Sequence, residues 1–212
     1  MKPVDWLRDP QAIYDESFAT IEREAALDQF PAPLRKIVVR MIHACGMVDL
    51  TSDIRWHGDV AGSATSALNA RRPILCDCEM VRSGIIRRFL PQGFEPTCTL
   101  NDPSVPTLAK QMQTTRSAAA VELWKADLEG AIVVIGNAPT TLFHLLEQIK
   151  AGAPKPAAII ATPVGFVGAV ESKQALSEAK LDIPFVTVLG RRGGSAMASA
   201  ALNAITIDGE WS

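Results

Sequence analysis

The second half of the chain alternates short apolar runs with longer segments of helical periodicity. Three such units follow one another, and each run leads through small residues into a helical pattern: AIVVIGNAPTTLFHLLEQI, AAIIATPVGFVGAVESKQAL and FVTVLGRRGGSAMASAALNAI. A short buried strand followed by a helix is the repeating unit of a parallel sheet. The pattern therefore predicts an α/β fold with a mostly parallel sheet, helices on both faces and a Rossmann-like arrangement.

The first half of the chain is less regular. Residues 9–30 open with Asp-Pro and carry apolar or small side chains at four-residue steps, which predicts an amphipathic helix. Residues 34–46, LRKIVVRMIHACG, predict a second helix that Gly46 ends as a C-cap. The other predicted elements are a strand-like stretch over 47–56, a helix near 59–70, a short buried strand in PILCDC and one long helix over 105–130. Since no low-complexity linker separates the halves, residues 1–212 are expected to form one domain.

Composition and charge narrow the possible classes of function. Of the 212 residues, 48% are hydrophobic, which is enough for a sizeable buried core. Lys and Arg number 21 against 23 Asp and Glu, so the net charge is -2 and no global positive field is available to attract nucleic acid or an acidic membrane. We find neither a signal-peptide pattern nor a membrane-spanning apolar run. These features predict a cytoplasmic protein with no nucleic-acid or membrane partner.

The cysteines and histidines give little support for a metal site. The spacings of the four cysteines fit neither a disulfide framework nor a paired CxxC zinc site. They are expected to be small buried side chains, with Cys76 and Cys78 on one face of a strand. The three histidines are far apart in the sequence, so no metal is predicted.

Three loops, GNAPT, TPVGFVG and GRRGGSA, are predicted to follow strands directly and to precede helix N-termini. Ligands of such sheets bind at this edge, and helix N-termini favour anions. Arg191 and Arg192 add guanidinium groups suited to carboxylate or phosphate, so anion binding is favoured over a plain turn with solvated arginines. Asn137 and Thr140 are candidate ligand contacts, although a simple capped turn explains them equally well. Nucleotide binding is disfavoured because neither GxxxxGK[ST] nor GxGxxG occurs in the loops.

One stripe of the second predicted helix carries candidate chemistry. Lys36, Arg40 and His43 are spaced so that they share one narrow face of the helix. An arginine cannot lose its charge, so a buried Arg40 requires an anionic partner. That partner is either an acidic side chain of the protein or an acid group of a substrate. The second case would hold the substrate one helical turn from an imidazole that can transfer protons.

Several segments together resemble one known family, that of precorrin-8X methylmutase in cobalamin biosynthesis. They cover nearly the whole chain in order: DPQAIYDESFATI, RKIVVRMIHACGMVDL, ILCDCEMV, VIGNAPTTLFHLLE, IIATPVGFVGAVESK and LGRRGGSAMASAALNAI. The most specific of the motifs are the RxxHACG helix end, GNAPT and GRRGGSAM. The resemblance implies a cofactor-free isomerase that moves a methyl group from carbon 11 to carbon 12 of a tetrapyrrole, giving hydrogenobyrinic acid.

The resemblance also implies roles for individual residues. The family's catalytic histidine corresponds to His43, and its substrate contacts on the two N-terminal helices correspond to Ser17 and Arg40. Arg116, on the predicted long helix, is a further candidate carboxylate clamp, followed by Arg191, Arg192, Asn137 and Thr140. Members of the family are homodimers, so a homodimer is expected here.

Two other functions fit the same residues. An isomerase or lyase of a smaller carboxylate would use the same histidine and glycine-containing loops. A non-catalytic carrier would hold a corrinoid tightly without converting it. The response to the tetrapyrrole distinguishes the three functions. A mutase turns it over, a carrier binds it stoichiometrically without turnover, and an enzyme of a smaller carboxylate does not change it.

Overall fold

Six strands form one sheet in the computed structural model, which describes residues 6–207 and 209. Their bounds are β1 (Ile54–His57), β2 (Ile74–Cys76), β3 (Thr97–Cys98), β4 (Ile132–Ile135), β5 (Ala158–Ala161) and β6 (Phe185–Val188). The spatial order is β1-β6-β5-β4-β2-β3, and every neighbouring pair is parallel except β1 with β6. The prediction of a mostly parallel sheet is confirmed.

Helices surround this sheet. Their bounds are α1 (Pro10–Glu24), α2 (Ala32–Cys45), α3 (Val60–Asn69), α4 (Glu79–Gly84), α5 (Val105–Gln111), α6 (Arg116–Ala120), α7 (Pro139–Lys150), α8 (Ala169–Glu178) and α9 (Ser195–Thr206). Short 3₁₀ turns add Val48–Ser52, Arg87–Phe89 and Val121–Trp124. In the part of the chain that the structure describes, no helix has both the length and the apolar character needed to cross a bilayer.

The alternating side chains of β4 show how one domain acquires two cores. Ile132 and Val134 point into the core that α2 and α9 cover, whereas Val133 and Ile135 point into the core of α7 and α8. Successive side chains of a strand point to opposite faces, so a strand covered on both faces is apolar throughout. All four residues are buried. The predicted α/β domain with helices on both faces is therefore confirmed, while its predicted limits, residues 1 and 212, lie outside the described residues.

The strand order places a ligand-binding crevice at a definite point of the sheet. If β2 to β6 are renumbered along the chain, their spatial order reads 2-1-3-4-5, which is the flavodoxin-like variant of the doubly wound fold. The order reverses between β2 and β4. In such sheets the crevice lies outside the carboxyl ends of the strands at that reversal. The segments that follow β2 and β4 are consequently the first place to look for a ligand.

Two predicted helices differ from the observed ones. The first ends at Glu24 rather than near residue 30, because Ala25 takes an extended backbone conformation. The predicted long helix over 105–130 is divided into α5, α6 and the 3₁₀ turn of Val121–Trp124. Gln113 has a left-handed backbone, with φ of 53°, and Thr115 starts α6 by accepting a hydrogen bond from the N–H of Ala118. A threonine cap and a left-handed residue both interrupt a helix locally.

The predicted strand over 47–56 is also shorter than expected. Its first part, Val48–Ser52, forms a 3₁₀ turn, and only Ile54–His57 pairs with β6. The carboxylates of Asp49 and Asp53 in this segment face the arginine of another loop, as described below. The alternation of apolar and polar residues in this segment therefore reflects a turn rather than a long strand. Leu50 and Thr51 form the buried side of that turn.

The cysteines are free thiols. Strand β2 ends at Cys76, and Cys78 precedes α4 as its N-cap, so the prediction that both lie on one strand is wrong. Both are nevertheless buried in the same hydrophobic core. Within residues 6–207 and 209, no group of three or more His, Cys, Asp or Glu side chains is placed to hold a metal ion.

Candidate active site

Helices α1 and α2 form the pair that carries the histidine. Asp9 starts α1 by accepting a hydrogen bond from the N–H of Ala12 at 2.7 Å. Gly46 ends α2 in the left-handed conformation, with φ of 71° and its N–H on the carbonyl of Ile42, as the sequence predicts. Helix α2 buries one face against α9, whereas the Lys36–Arg40–His43 face lies at the surface, with Arg40 partly buried. The stripe is thus open to a ligand.

The imidazole of His43 is held on two sides. Its Nδ1 lies 2.9 Å from the hydroxyl oxygen of Ser17, which is on α1. The ring of Phe18 stacks on the imidazole, with 4.9 Å between centroids and an angle of 29° between planes. His43 is exposed, and no described residue hydrogen-bonds to its Nε2. A side chain fixed at Nδ1 and open at Nε2 is arranged to exchange a proton with a bound molecule.

Arg40 lies one helical turn from His43. Its guanidinium donates a hydrogen bond to the Tyr14 hydroxyl and lies 5.1 Å from the centroid of Phe18 and 5.6 Å from that of Tyr14. Aromatic faces attract a cation without neutralising it. None of the acidic side chains in the described residues pairs with Arg40. The guanidinium therefore retains capacity for an anionic ligand.

Two clefts follow the two sides of α1. One, of about 440 Å³, is lined by Arg40, Lys36, Tyr14 and Phe18, with Ala204 of α9 at its base. The other, of about 460 Å³, is lined by His43, Ser17 and Ile13 among others, and also by the acidic side chains Glu16 and Glu24. Each volume falls within the range of small-molecule sites. The imidazole of His43 and the guanidinium of Arg40 thus face adjoining clefts.

The GRRGGSA loop is connected to the end of α2 by Arg192. Its guanidinium pairs with Asp49 at 2.8 Å and also with Asp53, both of which lie in the segment just beyond α2. The neighbouring Arg191 is exposed and lies 5.2 Å above the ring of Phe166, from the loop that follows β5. Arg192 is therefore occupied by carboxylates of its own chain, whereas the guanidinium of Arg191 contacts only an aromatic face among the described side-chain contacts. The pairing brings this loop near the end of the His43 helix.

Asp77 fills the position at the sheet reversal where a ligand was expected. It follows β2 directly, is only 3% exposed, and accepts hydrogen bonds from three consecutive N–H groups, those of Gly136 at 3.0 Å, Asn137 at 2.8 Å and Ala138 at 2.8 Å. Burial raises the pKa of the Asp77 carboxyl, and the three N–H donors counteract that rise. The backbone donors of the GNAPT loop are consequently used within the protein. Sequence reasoning missed Asp77, although an acidic residue directly after a buried strand is an available signal.

The other predicted contacts occupy the neighbouring edge of the sheet. Asn137 is exposed, and the hydroxyl of Thr140 accepts a hydrogen bond from Thr115 at 2.9 Å. The guanidinium of Arg116 donates to the carbonyl of Leu100 at 3.1 Å and to Asn101 at 3.3 Å. The structure thus brings Ser17, Arg40 and His43 together. It places Thr140 and Arg116 in a second group, connected through Thr115.

Replacing Asp77 tests the role of the buried carboxylate. Asp77→Ala is expected to lower the free energy of unfolding by about 3 kcal/mol or more, because each unsatisfied buried donor costs about 1–3 kcal/mol and three donors lose their acceptor. Asp77→Asn keeps one acceptor oxygen, so its free energy of unfolding is expected to lie between those of wild type and Asp77→Ala. Urea denaturation measures the change. Asp127→Ala, at an exposed position, is the control and is expected to change stability by less than about 0.5 kcal/mol; equal stability of Asp77→Ala and wild type would contradict the assigned role.

The protein is a doubly wound α/β protein whose N-terminal helices hold an oriented histidine and an available guanidinium beside two clefts, an arrangement typical of α/β enzymes. The model of the family described as precorrin-8X methylmutase matches residues 12–207. The chain belongs to the precorrin-8X methylmutase family. Methylmutases are intramolecular transferases, that is, isomerases, and this chain is an enzyme of that class.

Individual relatives agree with the family assignment. The chain is 54% identical over 207 residues to precorrin-8X methylmutase of Pseudomonas aeruginosa, covering 98% of this chain and 100% of the relative. It is 53% identical over 209 residues to the protein of that name from a Sinorhizobium species, covering 99% and 100%. The crystal structure of precorrin-8X methylmutase from Thermus thermophilus superposes with a TM-score of 0.83 at 38% identity, covering 93% of this chain and 95% of that one. The likeness therefore extends over sequence and fold alike.

Proposed function

We propose that this protein converts precorrin-8X to hydrogenobyrinic acid by moving a methyl group from carbon 11 to carbon 12 of the tetrapyrrole, without a cofactor. The single observation that carries this proposal is the geometry of His43. Its imidazole is oriented by Ser17 at 2.9 Å, open at Nε2 and one helical turn from the Arg40 guanidinium. An acid-bearing macrocycle anchored at Arg40 would place its conjugated system within reach of the imidazole.

The proposed mechanism uses His43 as an acid and then as a base. When the imidazole is protonated, Nδ1–H donates to the Ser17 hydroxyl oxygen, and Nε2–H faces the substrate. Protonation of a pyrrolic nitrogen or an adjacent position makes the conjugated system electron-poor. The bond from the methyl group to carbon 11 then breaks as the bond to carbon 12 forms, and Nε2 recovers the proton. Because the methyl group moves within one molecule, no atom is gained or lost and no co-substrate is needed.

The arginines at the site suit a ligand with acidic arms. We assign the first arm to Arg40, whose guanidinium has only a hydroxyl and two aromatic rings among its described partners. Arg191 is assigned a second arm because it is exposed and free of carboxylate partners among the described residues. Arg116, Asn137 and Thr140 are proposed contacts at the neighbouring edge. Arg192, already paired with Asp49 and Asp53, is proposed to act mainly by holding its loop in place.

Each of the two rival functions makes a different prediction for the same assay. The clefts of about 440 and 460 Å³ would also accept a smaller carboxylate, and a carrier would bind the macrocycle with the same arginines. Incubation with precorrin-8X while the absorption spectrum is recorded separates the possibilities. The proposed mutase converts many equivalents of substrate at catalytic protein concentration. A carrier gives a spectral change that stops at one equivalent, and a protein for another substrate gives no change.

The assembly and location of the protein are part of the proposal. A tetrapyrrole is wide relative to either cleft, so we propose a homodimer in which the second copy adds to the walls around the substrate. Light scattering after gel filtration is expected to give twice the mass of the 212-residue chain, and a monomeric mass would contradict the proposal. We further propose that the protein acts in the cytoplasm.

A further inference from the structure

A lysine is buried behind the loops that border the proposed site. Lys173, on α8, has 0% of its surface exposed. Its ammonium donates a hydrogen bond to the main-chain carbonyl of Arg192 at 2.6 Å. Lysine is almost never fully buried unless it is paired. Because the proposed mechanism does not use Lys173, its burial calls for a separate explanation.

Stability does not supply that explanation. Burial lowers the pKa of Lys173 from its ordinary value of 10.5 to about 8, and the nearby carboxylate of Asp53 opposes this change. The folded protein therefore releases the lysine proton at lower pH than the unfolded chain does. Between about pH 8 and pH 10.5 the unfolded chain binds more protons, so stability rises with pH in that window. At neutral pH, accordingly, the charged form of Lys173 contributes less stability than its neutral form would.

The hydrogen bond of Lys173 acts on a segment where two loops meet. The N–H of Gly165 donates to the carbonyl of Arg191 at 3.3 Å, and the N–H of Gly194 donates to the carbonyl of Thr162 at 2.8 Å. Gly193 lies so close to Thr162 that an added Cβ would be 2.3 Å from the carbonyl oxygen. The loops after β5 and β6 are thus in direct backbone contact. Lys173 holds a carbonyl that lies between these contacts, that of Arg192.

Charged side chains surround the same segment. Asp53 lies within electrostatic reach of the Lys173 ammonium and also pairs with the Arg192 guanidinium, which pairs in addition with Asp49. Lys173 therefore restrains the main chain of Arg192, while the two carboxylates restrain its side chain. The residue immediately before this restrained peptide is Arg191. Its guanidinium is exposed and points over Phe166.

We infer that Lys173 is a positioning residue, whose buried ammonium fixes the Arg191–Gly193 backbone so that the Arg191 guanidinium can bind an acidic arm of the substrate. This inference rests on the proposed function and adds a residue that touches no substrate. Burial of the ammonium has a desolvation cost, and the hydrogen bond that the ammonium makes holds the main chain of the loop. A misplacement of about 1 Å in a binding group can cost as much as a hundredfold in rate.

Lys173→Met separates positioning from stability. The variant keeps the aliphatic stem and loses the ammonium, so at pH 7 its melting temperature is expected to equal or exceed that of wild type. Its advantage should shrink between pH 8 and pH 10.5, where the wild-type protein becomes more stable. KM for precorrin-8X is expected to rise about tenfold or more, with kcat changed much less. Lys173→Arg, which still donates to the carbonyl, is expected to restore part of the affinity, and Lys155→Met, at an exposed position, is the control.

A double-variant cycle and hydrogen exchange complete the test. If Lys173 acts through Arg191, then Arg191→Ala should raise KM much less in the Lys173→Met protein than in wild type. Amide exchange at Gly193 and Gly194 should be faster in Lys173→Met. A lower melting temperature at pH 7 with unchanged KM, or independent effects of the two substitutions, would overturn the inference. Absence of turnover in wild type would instead overturn the proposed function. Hydrogen exchange would then still test the positioning role, which would be overturned if Gly193 and Gly194 exchanged at the same rates in Lys173→Met and in wild type.

Discussion

Replacement of His43 by alanine is expected to lower kcat by about 10²–10⁴-fold, which is the usual contribution of general acid–base catalysis. His43 is exposed, so its removal leaves no buried cavity, and the melting temperature should change little. KM should also change little, because Arg40 and the loop arginines are proposed to bind the acidic arms. The initial rate of the absorption change on adding precorrin-8X measures the effect.

His57→Ala is the matched control for His43. His57 is likewise exposed, lies at the end of β1 and stacks on Phe185 at 6.2 Å, away from the α1–α2 pair. The control variant should retain nearly full turnover. Added imidazole should restore part of the activity to His43→Ala and none to a variant that is merely unfolded. If His43→Ala turns over at the wild-type rate, the acid–base role is wrong.

Replacement of Arg40 by methionine is expected to raise KM by about 10–100-fold, corresponding to a charge-assisted hydrogen bond of about 1.5–3 kcal/mol. Methionine keeps an unbranched side chain against Phe18 and Tyr14, so most of the lost free energy reflects the charge rather than packing. Titration of the product, followed by fluorescence or absorption, measures the affinity without turnover. Salt should weaken wild-type binding more than binding to the variant.

Arg23→Met provides the comparison for Arg40. Arg23 lies in the last turn of α1, is largely exposed and pairs only with its neighbours Thr20 and Glu24 among the described residues. The comparison variant should bind product as wild type does. Unchanged affinity in Arg40→Met would mean that the guanidinium of Arg40 only packs against the aromatic rings of α1 and does not bind the ligand. A fall in melting temperature with unchanged affinity would support that structural role.

The fold was predictable wherever local pattern and burial agree. Strands β4, β5 and β6 are short, apolar and buried on both faces, and each leads into a helix of regular periodicity. The break near Gln113 was not predictable because the surrounding residues form helices well and the left-handed φ of 53° depends on the packing of α5 against α6. The end of α1 at Glu24 escaped prediction for the same reason, since EREAA continues a good helical pattern. A left-handed residue and a threonine cap set the first boundary, and an extended residue sets the second.

The site was predictable only where its residues share an element or a motif. Helical spacing placed Arg40 and His43 on one face of α2, and the family resemblance added Ser17 across the helix pair. Asp77 and Lys173 could not be assigned roles from the sequence. The partners of Asp77 lie 59 to 61 residues away and the partner of Lys173 lies 19 residues away, and the strand order determines which residues meet. The pairing of β2 with β4 cannot be read from the sequence. A buried charge therefore remains uninterpretable until the sheet is assembled.

The carboxylate of Asp77 occupies the crevice position between β2 and β4, so the proposed reactive groups of this protein lie away from that position. Related sheets lodge a nucleotide or flavin at such a position, but here a side chain of the protein already occupies it. The proposed reactive groups lie instead on two helices that precede the first strand. A chain shortened to begin after α1 could retain its sheet and still be inert, since it would lack the hydroxyl that orients the imidazole and the ring stacked upon it.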